Sequence, residues 1–306
     1  MKIAVTGGEG FIGRKLVRKL VDAGHSVRLL TRKQRQSEDS SIEYFRGDIT
    51  RPETLRGYFE DIERLYHCCG EAVDKSRMRA VNVNGVENLI NELDEKKIDW
   101  IQLSSIGVYG PGARITELTR PRPFNIYERT KLEGDQLLLN YAGRNHLKYA
   151  ILRPSIVFGE DMPNQSLFQL VNMIKRGRFL FIGGRESMVN YVYVGKVVDA
   201  LIFISKDPKY NEGIFNLSDD VRLEDFVAAV QACTGTSYRF MRVPKTPVKL
   251  LSQLLNVIPG NPLTPQRVEA LSHMTCYPQD KLQSIGFKSD NDLFRGLEST
   301  IASMAK

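Results

Sequence analysis

Short apolar runs alternate with amphipathic stretches through the first half of the chain, and that alternation leaves few folds open. KIAVT stands at the start and is bounded by two glycines. Apolar residues then fall at 11, 12, 16, 17, 20 and 21, a helical stripe that stops at Gly24, a residue suited to closing a helix. HSVRLLT, IEYFRGDI, ERLYHCC, DWIQLSS and LKYAILRPS read as further strands, with helical stretches at 52–60, 76–95 and 125–141 between most of them. Strand and helix in strict turn predict βαβ units: an α/β fold with a doubly wound parallel sheet and helices on both faces.

Beyond residue 155 the pattern loosens. One stretch, MVNYVYVGKVVDALIFI, returns to it at 187–205, and around it lie a strand-like GIFNLS and a helical LEDFVAAVQACTG. Pro244, Pro247, Pro259, Pro262 and Pro265 punctuate the region after that. We read residues 156–306 mainly as a smaller substrate-binding lobe over the carboxyl edge of the sheet, where open α/β sheets take their ligands. VKLLSQLLNVI at 248–258 carries leucines at 250, 251, 254 and 255 and predicts an amphipathic helix. It serves core or lid packing, or else touches a lipid-like substrate or a membrane surface.

With 306 residues, 42% of them hydrophobic and 26% charged, the chain has material for a large core. No run approaches the roughly 18 apolar residues of a membrane span, and MKIAVTGGEGFIG lacks the features of a signal peptide. Cys68, Cys69, Cys233 and Cys276 show no CxxC spacing, so we expect buried thiols in a reducing cytoplasm rather than a disulfide framework or zinc site. The histidines (25, 67, 146 and 273) are scattered, and no metal centre is expected. A net charge of +7 is diffuse apart from Arg32, Lys33 and Arg35, which suits an anionic small molecule better than nucleic acid.

TGGEGFIG sets glycines at 7, 10 and 13 between a strand and a helix. Gly7 permits the tight turn, Gly10 lets backbone approach a pyrophosphate, and Gly13 allows close packing of helix on strand. The helix N-terminus brings amides and dipole to the phosphates. Further on, NIYERTK stacks the phenol of Tyr127 and the ammonium of Lys131, four residues apart, on one helix face. Alone, that pair reads as a solvated surface.

The spacing G-x-x-G-x-x-G, GDI at 47–49, NVNGVENL at 82–89, SSIGVYG at 104–110, LRPSIVFG at 152–159 and LQSIGF at 282–287 together resemble the extended short-chain dehydrogenase/reductases, the NAD(P)-dependent epimerase/dehydratase family. The resemblance runs essentially end to end. It implies an NAD(P)-binding Rossmann domain over 1–155, with 187–205 returning to it. It implies cofactor contacts from Gly7, Gly10, Phe11, Ile12, Gly13, Asp48, Ile49, Asn82 and Pro154, and a homodimer packed through the helices at 76–95 and 125–141. Where NAD-specific members end their second strand in an acid, this chain has Thr31, then Arg32 and Lys33. A guanidinium binds a 2′-phosphate that a carboxylate repels, so NADP is expected over NAD.

The resemblance also assigns the chemistry to Ser105, Tyr127 and Lys131, with Tyr127 and Lys131 touching the cofactor as well. A free phenol with pKa near ~10 is a poor base, and a cation ~4 Å away, worth up to ~4 kcal/mol at a dielectric of 20, is expected to lower it. Family dehydratases carry an Asp-Glu pair after the active-site hydroxyl; Ile106 and Gly107 stand there. The implied activity is therefore hydride transfer by a reductase or epimerase, at C4 of a nucleotide-linked sugar. Val189 holds the place of an arginine that many sugar-nucleotide members carry, and Gly195-Lys196 replaces a usual acidic pair. That keeps open a reductase of hydrophobic ketones, like the hydroxysteroid dehydrogenases and dihydroflavonol reductases. A catalytically silent NADPH-binding subunit is the third reading.

Overall fold

The structure, a computed structural model, describes residues 1–93, 96–206, 212–255 and 265–304. Its strands are β1 (Lys2–Thr6), β2 (Ser26–Thr31), β3 (Ile42–Arg46), β4 (Arg64–His67), β5 (Asp99–Leu103), β6 (Tyr149–Pro154), β7 (Ile156–Phe158), β8 (Phe181–Ile182), β9 (Met188–Tyr193), β10 (Glu212–Leu217), β11 (Asp219–Arg222) and β12 (Arg242–Val243). The helices that shape the site are α1 (Phe11–Asp22), α2 (Gly85–Leu93), α3 (Ile126–Asn145), α4 (Ser166–Lys175), α5 (Val194–Lys206), α6 (Leu223–Thr234) and α7 (Lys245–Leu255).

Seven strands form one parallel sheet in the order β10-β6-β5-β4-β1-β2-β3. Strand order reverses between β1 and β4, which opens a crevice at their carboxyl ends. Leu16, Val17 and Leu20 of α1 and Val197, Leu201 and Ile204 of α5 cover one face. Val86 and Leu89 of α2 and Leu138 and Ala142 of α3 cover the other. Strands buried on both faces read as apolar runs rather than as alternating ones, whereas the edge strand β3, with none of its residues fully buried, keeps charges at Glu43 and Arg46. The doubly wound α/β architecture expected from the alternation is the one observed.

A separate three-stranded sheet, β11-β9-β7, and a two-stranded pair, β12-β8, build the second lobe. Its core gathers Phe158, Val171, Val189, Tyr191, Phe226 and Leu297. Here the structure differs from the expectation for 187–205. Only α5 of that stretch lies on the main sheet; β9 belongs to the three-stranded sheet, and β10 takes the main sheet's edge beside β6. MVNYVY is apolar enough to be central in either sheet, so its composition does not reveal which.

Other segments depart as well. Residues 52–60 form only one tight helical turn, Pro52–Thr54, because Gly57 (φ +83°) and Asp61 (φ +59°) carry the backbone into the left-handed region. The stretch at 76–95 begins in turns, widens into a π-helical segment at Ala80–Asn84 and becomes regular in α2; residues 94 and 95 lie outside the described ones. The amphipathic helix expected at 248–258 is α7, with Leu250 and Leu251 exposed; residues 256–258, Pro259 and Pro262 lie outside the described residues. Among the described residues no helix is long and apolar enough to cross a membrane.

Gly134 lets α3 meet the π-helical segment backbone to backbone: a Cβ there would lie 2.4 Å from the Asn82 carbonyl oxygen. Gly134→Ala is expected to cost about 1–3 kcal/mol in urea denaturation, the usual penalty of overpacking. Gly143, in the same helix with nothing within 4 Å of its Cβ position, is the matched control. There alanine should add roughly 0.5–1 kcal/mol by removing glycine's freedom in the unfolded chain.

Candidate active site

The crevice is built from the end of β1. Thr6 is buried, and its hydroxyl shares a 2.7 Å hydrogen bond with His67 Nδ1 across the β1–β4 pair. Burial pushes the His67 pKa down to about 3, so the ring is neutral and serves as a fixed hydrogen-bond partner. Gly7 then turns at φ +68°, and its carbonyl accepts from the Gly10 amide at 3.0 Å. A Cβ at Gly13 would lie 2.1 Å from that same carbonyl oxygen, so only glycine lets α1 start so close to β1. Gly10 caps α1 without any side-chain hydrogen bond, which leaves the first-turn amides turned to the crevice. This cradle fits a pyrophosphate.

Two cavities, of about 790 Å³ and 270 Å³, meet at Gly7, Gly10, Cys68, Cys69 and Gly70. Phe11, Ile12, Gly13, Ser105, Tyr127, Lys131 and Pro154 line the larger. Arg32, Asp48 and Ile49 line the smaller. Together they have the extent of a dinucleotide site. Lys33 and Asn82 line neither cavity. Asn82 is buried behind the wall: it accepts from the Glu71 amide at 2.8 Å and donates to the Glu71 carbonyl at 2.9 Å and to Thr130 Oγ1 at 3.0 Å. Its place is to brace the loop after β4 against α3. Burial pushes the Cys68 thiol up to about 12, so that wall stays uncharged. Of the four thiols expected to be buried, Cys233 is exposed instead, near the end of α6.

Why α3 starts where it does follows from Asn125. Its Oδ1 accepts from the Glu128 amide at 3.0 Å, while Glu128 Oε2 accepts from the Asn125 amide at 3.4 Å, a reciprocal cap. Tyr127 thus sits in the first turn and Lys131 one turn on, facing the cavity. Ser105 comes off the end of β5 in extended backbone, its Oγ accepting from the Gly107 amide at 3.1 Å. That hydroxyl also reaches the Tyr127 phenol. The three candidates are brought together.

The electrostatics differ from the sequence-based expectation. Burial raises the Tyr127 pKa; the Ser105 hydrogen bond opposes this, and the Asp135 and Glu128 charges add to it. Lys131, 6% exposed, donates from Nζ to the Leu103 carbonyl at 2.8 Å. Burial lowers its pKa, against the pull of Asp135. Desolvation of the phenol therefore outweighs the Ser105 hydrogen bond, and at neutral pH Tyr127 holds its proton as a donor.

Asp135, one turn beyond Lys131 and fully buried, completes the frame. It accepts from Gln102 Nε2 and Ser104 Oγ, both at 2.8 Å, and from Arg153 Nη2 at 2.9 Å. Arg153 in turn lies over the Tyr109 ring, 4.9 Å from its centroid. Sequence reading passed over this residue. Its only signal is that 127, 131 and 135 share one helix face. Asp135→Asn leaves the Arg153 charge uncompensated in the core and is expected to cost about 3–5 kcal/mol, measured by urea denaturation.

Residues 3–218 match the NAD dependent epimerase/dehydratase family. The chain is 23% identical over 313 residues to the N-acetyl-alpha-D-glucosaminyl-diphospho-ditrans,octacis-undecaprenol 4-epimerase of Escherichia coli O157:H7, spanning 98% of this chain and 94% of that one. It is 26% identical over 253 residues to the decarboxylating sterol-4-alpha-carboxylate 3-dehydrogenase of Mus musculus, spanning 78% and 69%. Among solved structures, the UDP-glucuronic acid 4-epimerase from Bacillus cereus in complex with NAD has the same fold. It superposes with a TM-score of 0.75 at 19% identity, over 100% of this chain and 99% of that one. The glycine cradle at the strand-order reversal and a family match over most of the chain agree, and the protein belongs to the NAD dependent epimerase/dehydratase family.

Proposed function

We propose that the protein moves hydride to or from a secondary alcohol or ketone carbon, namely C4 of a diphosphate-linked sugar, as an epimerase or ketoreductase. The observation that carries this is one cavity lined jointly by Ser105, Tyr127, Lys131 and the glycine cradle. A bound nicotinamide supplies or accepts the hydride. Tyr127, protonated at rest, gives its proton to the carbonyl oxygen in reduction; in oxidation it first releases that proton to solvent and then, as phenolate, takes one from the hydroxyl. Ser105 would hydrogen-bond the reacting oxygen, and Lys131 would bring positive charge to the same cavity. Ile106 and Gly107, next to Ser105, offer no proton exchange for an elimination.

The sugar reading draws support from the 4-epimerases among the relatives and neighbours, one acting on a polyprenyl-diphosphate-linked sugar and one on a UDP-linked one. A second reading, reduction of a hydrophobic ketone, is favoured by the sterol dehydrogenase relative and by the apolar wall of Val189, Leu170 and Leu271. A silent dinucleotide-binding subunit fits poorly with the retained Ser105, Tyr127 and Lys131. For the dinucleotide itself, the Arg32 argument for NADP stands against the NAD in the family's description and in the neighbour's complex. We take NAD. Partnering of two copies through α2 and α3, which lie side by side, follows the homodimer expectation.

The test is turnover of the purified protein with NADH and NADPH on UDP-linked sugars, polyprenyl-diphosphate-linked sugars and apolar ketones. Interconversion at C4 supports the first reading, and turnover confined to apolar ketones supports the second. Tyr127→Phe should lower kcat by about 10²–10⁴-fold, the usual worth of a general acid, with cofactor affinity near wild type. A Tyr127→Phe protein that keeps most of its activity defeats the mechanism. Light scattering at micromolar concentration should return a dimer mass; a monomer mass rejects the pairing through α2 and α3.

A further inference from the structure

The expectation of NADP rested on an acid missing from the end of β2. The structure supplies a carboxylate at that place from elsewhere. Thr31, the last residue of β2, is buried, and its hydroxyl donates to Glu9 Oε2 at 2.8 Å. Glu9 lies in the glycine loop between Gly8 and Gly10, and its other oxygen, Oε1, takes Arg35 Nη2 at 3.1 Å. Held from two sides, the Glu9 side chain is fixed against the strand end and lines the small chamber. The loop thus delivers, from 22 positions upstream of Thr31, the group that β2 lacks.

Charge in the chamber points the same way. Three carboxylates, Glu9, Asp48 and Glu71, line it against two guanidiniums, Arg32 and Arg77. Arg32 lies near enough to Asp48 to favour its ionised form, so that cation already faces an acid. Arg35 is engaged by Glu9. A 2′-phosphate would abut a carboxylate, and the guanidiniums nearby already face acids. A ribose 2′-hydroxyl there meets an acceptor.

We propose that Glu9, positioned by the Thr31 hydroxyl, accepts the adenosine ribose 2′-hydroxyl and makes this site selective for the non-phosphorylated dinucleotide. This rests on the dinucleotide reading of the two cavities. Glu9 is the specificity-determining residue and Thr31 a positioning residue.

The experiment is a set of equilibrium titrations, read by the fluorescence of bound NADH and NADPH, on wild type, Glu9→Gln, Thr31→Val and Arg32→Ala. Wild type should bind NADH more tightly, by about ten- to a hundredfold, the worth of a hydrogen bond to a charged group. Glu9→Gln should weaken NADH by about tenfold and tighten NADPH, which narrows or inverts the ratio. Thr31→Val keeps the shape, removes the donor, and should shift the ratio the same way by less. Tighter binding of NADPH by wild type overturns the proposal. So does an unchanged ratio in Glu9→Gln, or a ratio that moves only in Arg32→Ala. Binding of neither dinucleotide overturns the dinucleotide reading itself and this inference with it.

Discussion

A single buried carboxylate sets where the reactive groups stand. Asp135 ties α3 to β5 through Gln102 and Ser104 and to β6 through Arg153, so the helix can neither rotate nor slide on the sheet without breaking several charge-assisted bonds. Lys131 is one turn before it and Tyr127 two turns before, and their approach to Ser105 is inherited from that anchor. Burying a charged pair costs solvation that attraction only partly returns. Its retention here, with every contact made to strands that frame the crevice, is consistent with a role in geometry. Gly134, next to Asp135, adds the close approach to Asn82 that keeps α3 against the π-helical segment beside it in the same layer.

The two chambers divide the work by different physics. In the large one, low polarity holds groups in their neutral forms: Tyr127 keeps its proton, and Cys68 remains a thiol. In the small one, Glu9, Asp48 and Glu71 stand against Arg32 and Arg77, so a ligand there meets opposed charges. The glycine cradle between them needs neither, because it acts through backbone amides.

Much of this was legible before any coordinates. The βαβ alternation gave the sheet because parallel strands buried on both faces must be apolar, and the glycine triplet gave the crevice because only glycine tolerates that proximity. Tyr127 and Lys131 were visible as a spacing. What escaped were groups whose meaning depends on a distant partner. Asp135 in a helix looks solvated until β5 and β6 cover it. Glu9 looks like an ordinary loop acid until Thr31 is set beside it. Residues 52–60 looked helical because a left-handed Gly57 leaves no trace in a hydrophobic pattern. The placement of β9 and β10 turned on pairing partners many residues away, which periodicity does not encode.

The position of β10 has a consequence for how the molecule assembles. Glu212 pairs with Tyr149, and between those two residues the chain builds β7, β8, β9, α4 and α5. Immediately after β6 the Ser155 amide is bonded to the Leu217 carbonyl at 2.9 Å, so the path into the second lobe is clamped by a strand made after much of that lobe. A nascent chain that has just finished β6 exposes an open sheet edge until about sixty further residues have appeared, a few seconds at ordinary rates of synthesis. Closing so long a loop against entropy puts the last strand late in folding. Helix α3, with Tyr127 and Lys131, and its partner Arg153 are both complete by then, so that end of the crevice takes shape while the edge beside it is still unpaired.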